Sequence, residues 1–169
     1  MRGMTGKNHA KEYEKNCTEI LKYLFADELT IFSNQKNSNR RLYFFDMICR
    51  IKNNNNSDFW SMMENYFNSK YIIFEYKNYV KKITQKEIYS TEKYLYAKAL
   101  RSVAIIITCG GLNDNAMIAA NGSLRENGKL ILCITNEDLV NMIEAKERGD
   151  KPSDYLMDKL DNVLMELEK

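Results

Sequence analysis

Tyr71-Ile72-Ile73-Phe74-Glu75-Tyr76-Lys77 is the stretch on which the fold turns. β-Branched and aromatic residues dominate it, and such residues fit a pleated, half-buried surface. In a strand, side chains two apart share a face. Glu75 and Lys77 therefore point one way while Phe74 and Tyr76 point the other. An acid and a base on so apolar a strand either form the wet face of an edge strand or belong to a site, because an unpaired buried charge is costly. The rest of the chain has to decide between the two.

The elements on either side fix the class. Upstream, residues 9–25 carry Tyr13, Cys17, Ile20, Leu21, Leu24 and Phe25 on one helical stripe. A short strand is predicted over 29–32, and a second over 42–51, apolar on both faces as a central strand should be. Asp46 lies in the middle of that second run, where a lone carboxylate needs a cation, a metal or several donors. Asp58 is predicted to cap a helix over 59–67 with Phe59, Met62, Met63 and Tyr66 inward.

Downstream, Thr84 and Glu87 have the spacing of a capping box. The helix they open is predicted to run to about Leu100, with Ile88, Thr91, Leu95 and Leu100 inward. Residues 103–109 form a buried strand ended by Gly110-Gly111, and Asn113 to Asn127 a helix closed by Gly128. A strand over 129–135, a helix capped by Asn136, and a last helix from Pro152 with Leu156, Leu160, Val163, Leu164 and Leu167 on its stripe complete the chain. Strands alternating with helices predict an α/β fold, parallel in its second half with an antiparallel first half. The 169 residues suit a single domain spanning 1–169, with no internal repeat or linker.

Composition narrows the chemistry. The single histidine, His9, argues against His-based acid–base catalysis. Cys17, Cys49, Cys109 and Cys133 are widely spaced in apolar segments without a CxxC pair, so buried free thiols are expected rather than zinc. No apolar run reaches the roughly 18–20 residues of a membrane span, and the start lacks a signal-peptide core, which predicts a cytoplasmic protein without membrane contact. Gly110-Gly111 is followed by no Walker or dinucleotide spacing, so a strand-ending turn is expected there.

The net charge of +2 conceals an uneven distribution. Lys70, Lys77, Lys81, Lys82, Lys86, Lys93, Lys98 and Arg101 face only Glu75, Glu87 and Glu92 between positions 70 and 101. Lys36, Arg40, Arg41, Arg50 and Lys52 face only Asp46 between 36 and 52, whereas the tail from Asn136 is acidic. A basic middle with an acidic end fits a polyanion-binding face on one side.

If the 42–51 and 71–77 strands are neighbours, Asp46, Glu75 and Lys77 converge. Two oxygen-donor acids suit Mg²⁺, which takes its other ligands from water and substrate phosphate, and a lysine beside them can offset charge in a phosphodiester transition state. Asp46, separated by 28 residues from Glu75-Tyr76-Lys77, resembles the D…(D/E)xK signature of the PD-(D/E)xK nuclease superfamily, in particular its Mrr-like restriction-endonuclease branch. The similarity extends to Arg40-Arg41, Phe74–Tyr79, Thr91–Leu95, Leu124–Leu132, and Asp138-Leu139 with Met142. Phe45 stands where the pattern has its proline.

The resemblance implies a restriction endonuclease-like three-layer α/β/α sandwich with a mixed central sheet and an αβββαβ core. It implies a Mg²⁺-dependent DNA endonuclease, with Mn²⁺ as a substitute, in bacterial defence against foreign DNA. Asp46, Glu75 and the Tyr76 carbonyl would be metal ligands and Lys77 the signature lysine. Glu14 on the first helix would join the site, as would Gln85 or Lys93 on the helix after the motif. Arg40, Arg41, Arg50, Lys52, Lys81, Lys82 and Lys93 would contact nucleic acid. A homodimer is expected because cutting both strands takes two sites, and a partner protein could supply specificity or activation. Two other readings stay open: a catalytically inactive nucleic-acid-binding or assembly module of the same fold, and a nucleotide-sensing domain.

Overall fold

The computed structural model describes residues 7–34 and 45–167, with no account of the side chains of 7, 8 and 32–34. Its order is α1 (Lys7–Phe25), β1 (Leu29–Asn34), β2 (Met47–Ile51), α2 (Asp58–Asn65), β3 (Tyr71–Lys77), α3 (Gln85–Glu92), β4 (Val103–Thr108), α4 (Asp114–Asn127), β5 (Leu130–Thr135), α5 (Asn136–Glu147) and α6 (Pro152–Met165). The predicted strand residues 42–44 lie outside the described residues.

The strands form one mixed sheet in the order β1-β2-β3-β4-β5. β1–β2 and β2–β3 are antiparallel, whereas β3–β4 and β4–β5 are parallel. β3 is thus an inner strand, and the choice left open by its sequence falls against a wet edge. Its alternation divides the core. Ile72, Phe74 and Tyr76 join Tyr13, Phe25, Trp60, Leu139 and Leu156 on one face, beneath α1, α2, α5 and α6. Ile73 joins Ile48, Ile88, Ala104, Ile106 and Ala116 on the other, beneath α3 and α4. Each large, fully buried side chain among these, such as Phe74 or Ile73, stabilises the fold by about 1.5–3 kcal/mol.

Several local expectations are corrected. Asp46 sits in a bend just before β2 rather than in mid-strand. Ser57, not Asp58, caps α2, its hydroxyl accepting the Trp60 N–H at 3.2 Å, and Tyr66 is exposed beyond the helix. The Thr84–Glu87 capping box is present, but α3 ends at Glu92. A 3₁₀ turn over Ala97–Ala99 follows, closed by Leu100 in the left-handed region with its side chain exposed. Thr135, not Asn136, caps α5, its capping box completed by Asp138. On α6, Leu156 and Leu160 are buried while Leu164 is exposed.

One close approach shapes the loop after β3. A Cβ on Gly110 would lie 2.7 Å from the Lys81 carbonyl oxygen, so only glycine lets the 80–82 backbone pass there. Ile83 continues the contact as a parallel bridge to Leu112, with its N–H on the Gly111 carbonyl at 2.9 Å. The loop is thereby held across the carboxyl end of β4.

Candidate active site

The last antiparallel pair between β2 and β3 is Met47 with Phe74. One step further along that register places Asp46 opposite Glu75, and residues directly opposite share a face. This is the face of Ile48 and Ile73, covered by α3 and α4. The ladder ends here, and Asp46 replaces it with its side chain: Oδ2 accepts the Tyr76 N–H at 2.7 Å. A strand residue's carbonyl opens to the same edge as its own N–H, so the Tyr76 carbonyl faces the Asp46 side.

Glu75 is 3% exposed, and its Oε1 meets no hydrogen-bond donor. Its Oε2 lies 3.6 Å from the Lys77 ammonium. Burial, then the Asp46 charge, push the Glu75 carboxyl well above the usual carboxylate range, against the pull of Lys77. Burial also raises the Asp46 carboxyl, opposed by the Tyr76 N–H, Lys77 and the contact with Glu75. The two carboxyls are close enough to interact directly, and burial pushes both upward, so the site disfavours two negative charges at once. A buried acid without a donor, set against a second acid, is a donor set that a divalent cation would complete by letting both ionise.

Other elements frame the pair. The Tyr76 hydroxyl is 3.0 Å from Thr18 Oγ1 and fastens α1 to the opposite face of β3. Tyr94 is half-buried, its ring edge-on to Phe45, the residue before Asp46, with 6.2 Å between ring centres. Burial first, then the charges of Glu75 and Asp46, raise the Tyr94 phenol, while Lys77 opposes them. Partial burial works against the Glu87 charge, but the Thr84 donors and Lys77 hold its carboxyl below the usual range. The first turn of α3 thus lies beside Lys77.

The structure therefore brings Asp46, Glu75, Tyr76 and Lys77 together. Gln85 is exposed in the first turn of α3, and Lys93 is exposed at its C-terminal end. Lys81 and Lys82 are exposed on the loop that leads away from Lys77. Glu14 is half-buried on α1, the helix that covers the other sheet face, and its charge acts on Cys17, which Asp46 also reaches. Arg50 shares the face of Asp46 but lies four residues along β2, roughly 13 Å away. Lys52 donates to the Ala26 carbonyl at 2.6 Å, which ties β2 to the end of α1. Arg40 and Arg41 lie outside the described residues.

Tyr94 is the site neighbour that sequence reading missed. A helix running to Leu100 would have kept residue 94 within regular helix. The early end of α3 lets the backbone turn and set its ring edge-on to Phe45, where its phenol feels the charges of Glu75 and Asp46. The cysteines are free, with Cys17 and Cys49 buried. Among the described residues no cluster of three or more His, Cys, Asp or Glu side chains could hold a metal, and no helix is long and apolar enough to cross a membrane. Comparison with family models, curated proteins and solved structures finds no match.

Proposed function

We propose that this chain is a metal-dependent DNA endonuclease of the restriction endonuclease-like fold, with its site at the junction of β2 and β3. One observation carries the reading: two interacting carboxyls on neighbouring chain segments, Asp46 and the buried Glu75, with the Lys77 ammonium 3.6 Å from the second. Asp46, Glu75 and the Tyr76 carbonyl would hold Mg²⁺ or Mn²⁺. When bound, such a cation supplies polarisation of the phosphodiester and a more acidic attacking water. Lys77, half-buried on the solvent side of Glu75, orients that water or offsets negative charge developing on phosphate. The Asp46–Tyr76 hydrogen bond holds one acid in place relative to the strand that carries the other. Each site cuts one strand, so a double-strand break in duplex DNA takes two copies of the chain.

Incubating the protein with supercoiled plasmid, with Mg²⁺, Mn²⁺ or EDTA, beside Asp46→Ala and Lys77→Ala, tests this. Nicking that needs the metal and vanishes in both variants is expected. Cleavage persisting in EDTA or in either variant overturns the site. Tight DNA binding without cleavage under any condition favours the binding-module reading instead.

A further inference from the structure

We propose that residues 79–98 form a binding platform for unpaired DNA, with exposed tyrosines stacking on bases and lysines holding the phosphates. The proposal rests on the nuclease reading of the adjoining site and assigns its substrate class. Tyr79 is 46% exposed, Tyr89 50% and Tyr96 53%, and all three fall in this one segment. Tyr79 follows β3, Tyr89 lies on α3 and Tyr96 precedes β4, so the rings are spaced along the course of α3, each offering a face on which a flat group can stack. Outside the segment Tyr66 and Tyr23 are exposed singly, and Tyr23 has the Lys146 ammonium 4.7 Å from its ring centre.

Lys81, Lys82, Lys86, Lys93 and Lys98 interleave with these rings, all exposed. Among the described residues none of the five is in an ion pair. The two acids of the segment are committed locally. Glu87 accepts the Thr84 N–H and hydroxyl at 2.7 and 2.8 Å, and Glu92 accepts from Asn127 at 2.9 Å. The segment's positive charge is left for an outside polyanion.

The platform is ordered rather than loose. Lys86, Tyr89, Ser90 and Lys93 follow i, i+3, i+4, i+7 spacing on the face of α3 opposite Ile88 and Thr91. The Gly110 contact holds the backbone beside Tyr79 and Lys81, and paired hydrogen bonds with Arg101 hold that of Tyr96. Tyr94, edge-on to Phe45 at 6.2 Å, joins the segment to the residue that precedes Asp46. A duplex presents phosphates and base edges but hides base faces, so it would use the lysines and leave the tyrosines idle. An unpaired strand uses both, since every base offers a π-face to stack. A single copy of the chain then suffices to cut.

Fluorescence anisotropy with labelled oligonucleotides of roughly 20 nucleotides, longer than one stacking platform needs, tests this. EDTA is included so that binding is read apart from cleavage. Single-stranded DNA is expected to bind at least ~10-fold more tightly than the matching duplex, and Tyr89→Ala or Tyr96→Ala to lose roughly 10-fold each, while Tyr→Phe retains binding. Lys86→Ala with Lys93→Ala should lower the salt slope by about 1.4 without removing the single-strand preference. Duplex binding as tight as single-strand binding, indifference to the tyrosine variants in proteins with wild-type circular dichroism, or tighter binding of single-stranded RNA each overturns the proposal. Tyrosine-dependent binding without cleavage leaves it standing and removes only the nuclease reading.

Discussion

The Asp46 carboxylate accepts the Tyr76 backbone N–H at 2.7 Å, one residue past the end of the β2–β3 ladder. A side chain thereby takes over from the backbone at the strand junction. The same contact places the Asp46 carboxyl against that of Glu75, which leans to the same face. Structure and site geometry share this one hydrogen bond.

Asp46→Asn keeps an oxygen that can accept from Tyr76, whereas Asp46→Ala leaves that N–H unpaired. The alanine variant is expected to lose about 1–3 kcal/mol of stability, the cost of a donor left without its acceptor, and the asparagine variant less. Both should lose plasmid nicking. Thermal denaturation beside the nicking assay separates the two effects, and an asparagine variant that still cuts would remove Asp46 from the chemistry.

The stability of the metal-free protein should respond to Glu75. Its carboxyl moves from an ordinary 4.5 to about 8 in the fold. Between those values the native state binds the extra proton, so stability falls as pH rises. The contribution is whole below about 4.5 and lost through about 8. Glu75→Gln removes this dependence, so urea midpoints in EDTA should show the variant gaining on wild type as pH increases. Parallel curves would mean that Glu75 is ionised throughout.

A bound divalent cation should reverse that penalty. At a concentration 100 times its Kd, Mg²⁺ or Mn²⁺ is expected to add about 2.7 kcal/mol to the stability of the wild type. For a chain of this size that raises Tm by roughly 5–10 °C. The same titration of Glu75→Gln should move Tm little, and an equal rise in both would place the cation elsewhere.

Two glycines give opposite expectations. Gly110→Ala brings a methyl within 2.7 Å of the Lys81 carbonyl oxygen and 2.9 Å of that of Val80. Backbone must shift, at an expected cost of about 1–3 kcal/mol. Gly122 lies inside α4 with nothing within 4 Å of an added Cβ, and Gly122→Ala should stabilise by about 0.8–1 kcal/mol. Urea denaturation of the two variants checks the pair. A neutral Gly110→Ala would mean that the 80–82 loop is free to move.

Some of the molecule was legible in one dimension because its signals are local. The β-branched run at 71–77 and its alternation placed Phe74 and Tyr76 opposite Glu75 and Lys77. The Thr84–Glu87 box marked the start of α3, and Asn113 with Gly128 bounded α4. Neighbouring residues of equal capping ability were not separable, hence Ser57 for Asp58 and Thr135 for Asn136. The end of α3 was not legible either, because Leu95 and Leu100 continue a helical stripe that the backbone leaves at Glu92.

By itself the sequence determined which side chains share a strand face and that the chain alternates helix and strand, since both follow from 2.0- and 3.6-residue periods. It also determined that an acid and a lysine sit two apart on an apolar run. Only the tertiary structure decided that Asp46 stands just before β2 rather than within it, that its carboxyl meets that of Glu75, and that the Tyr94 ring packs on Phe45 beside them. Those contacts join residues far apart in the chain. Strand register and the end point of a helix create them, and neither is written in any local pattern.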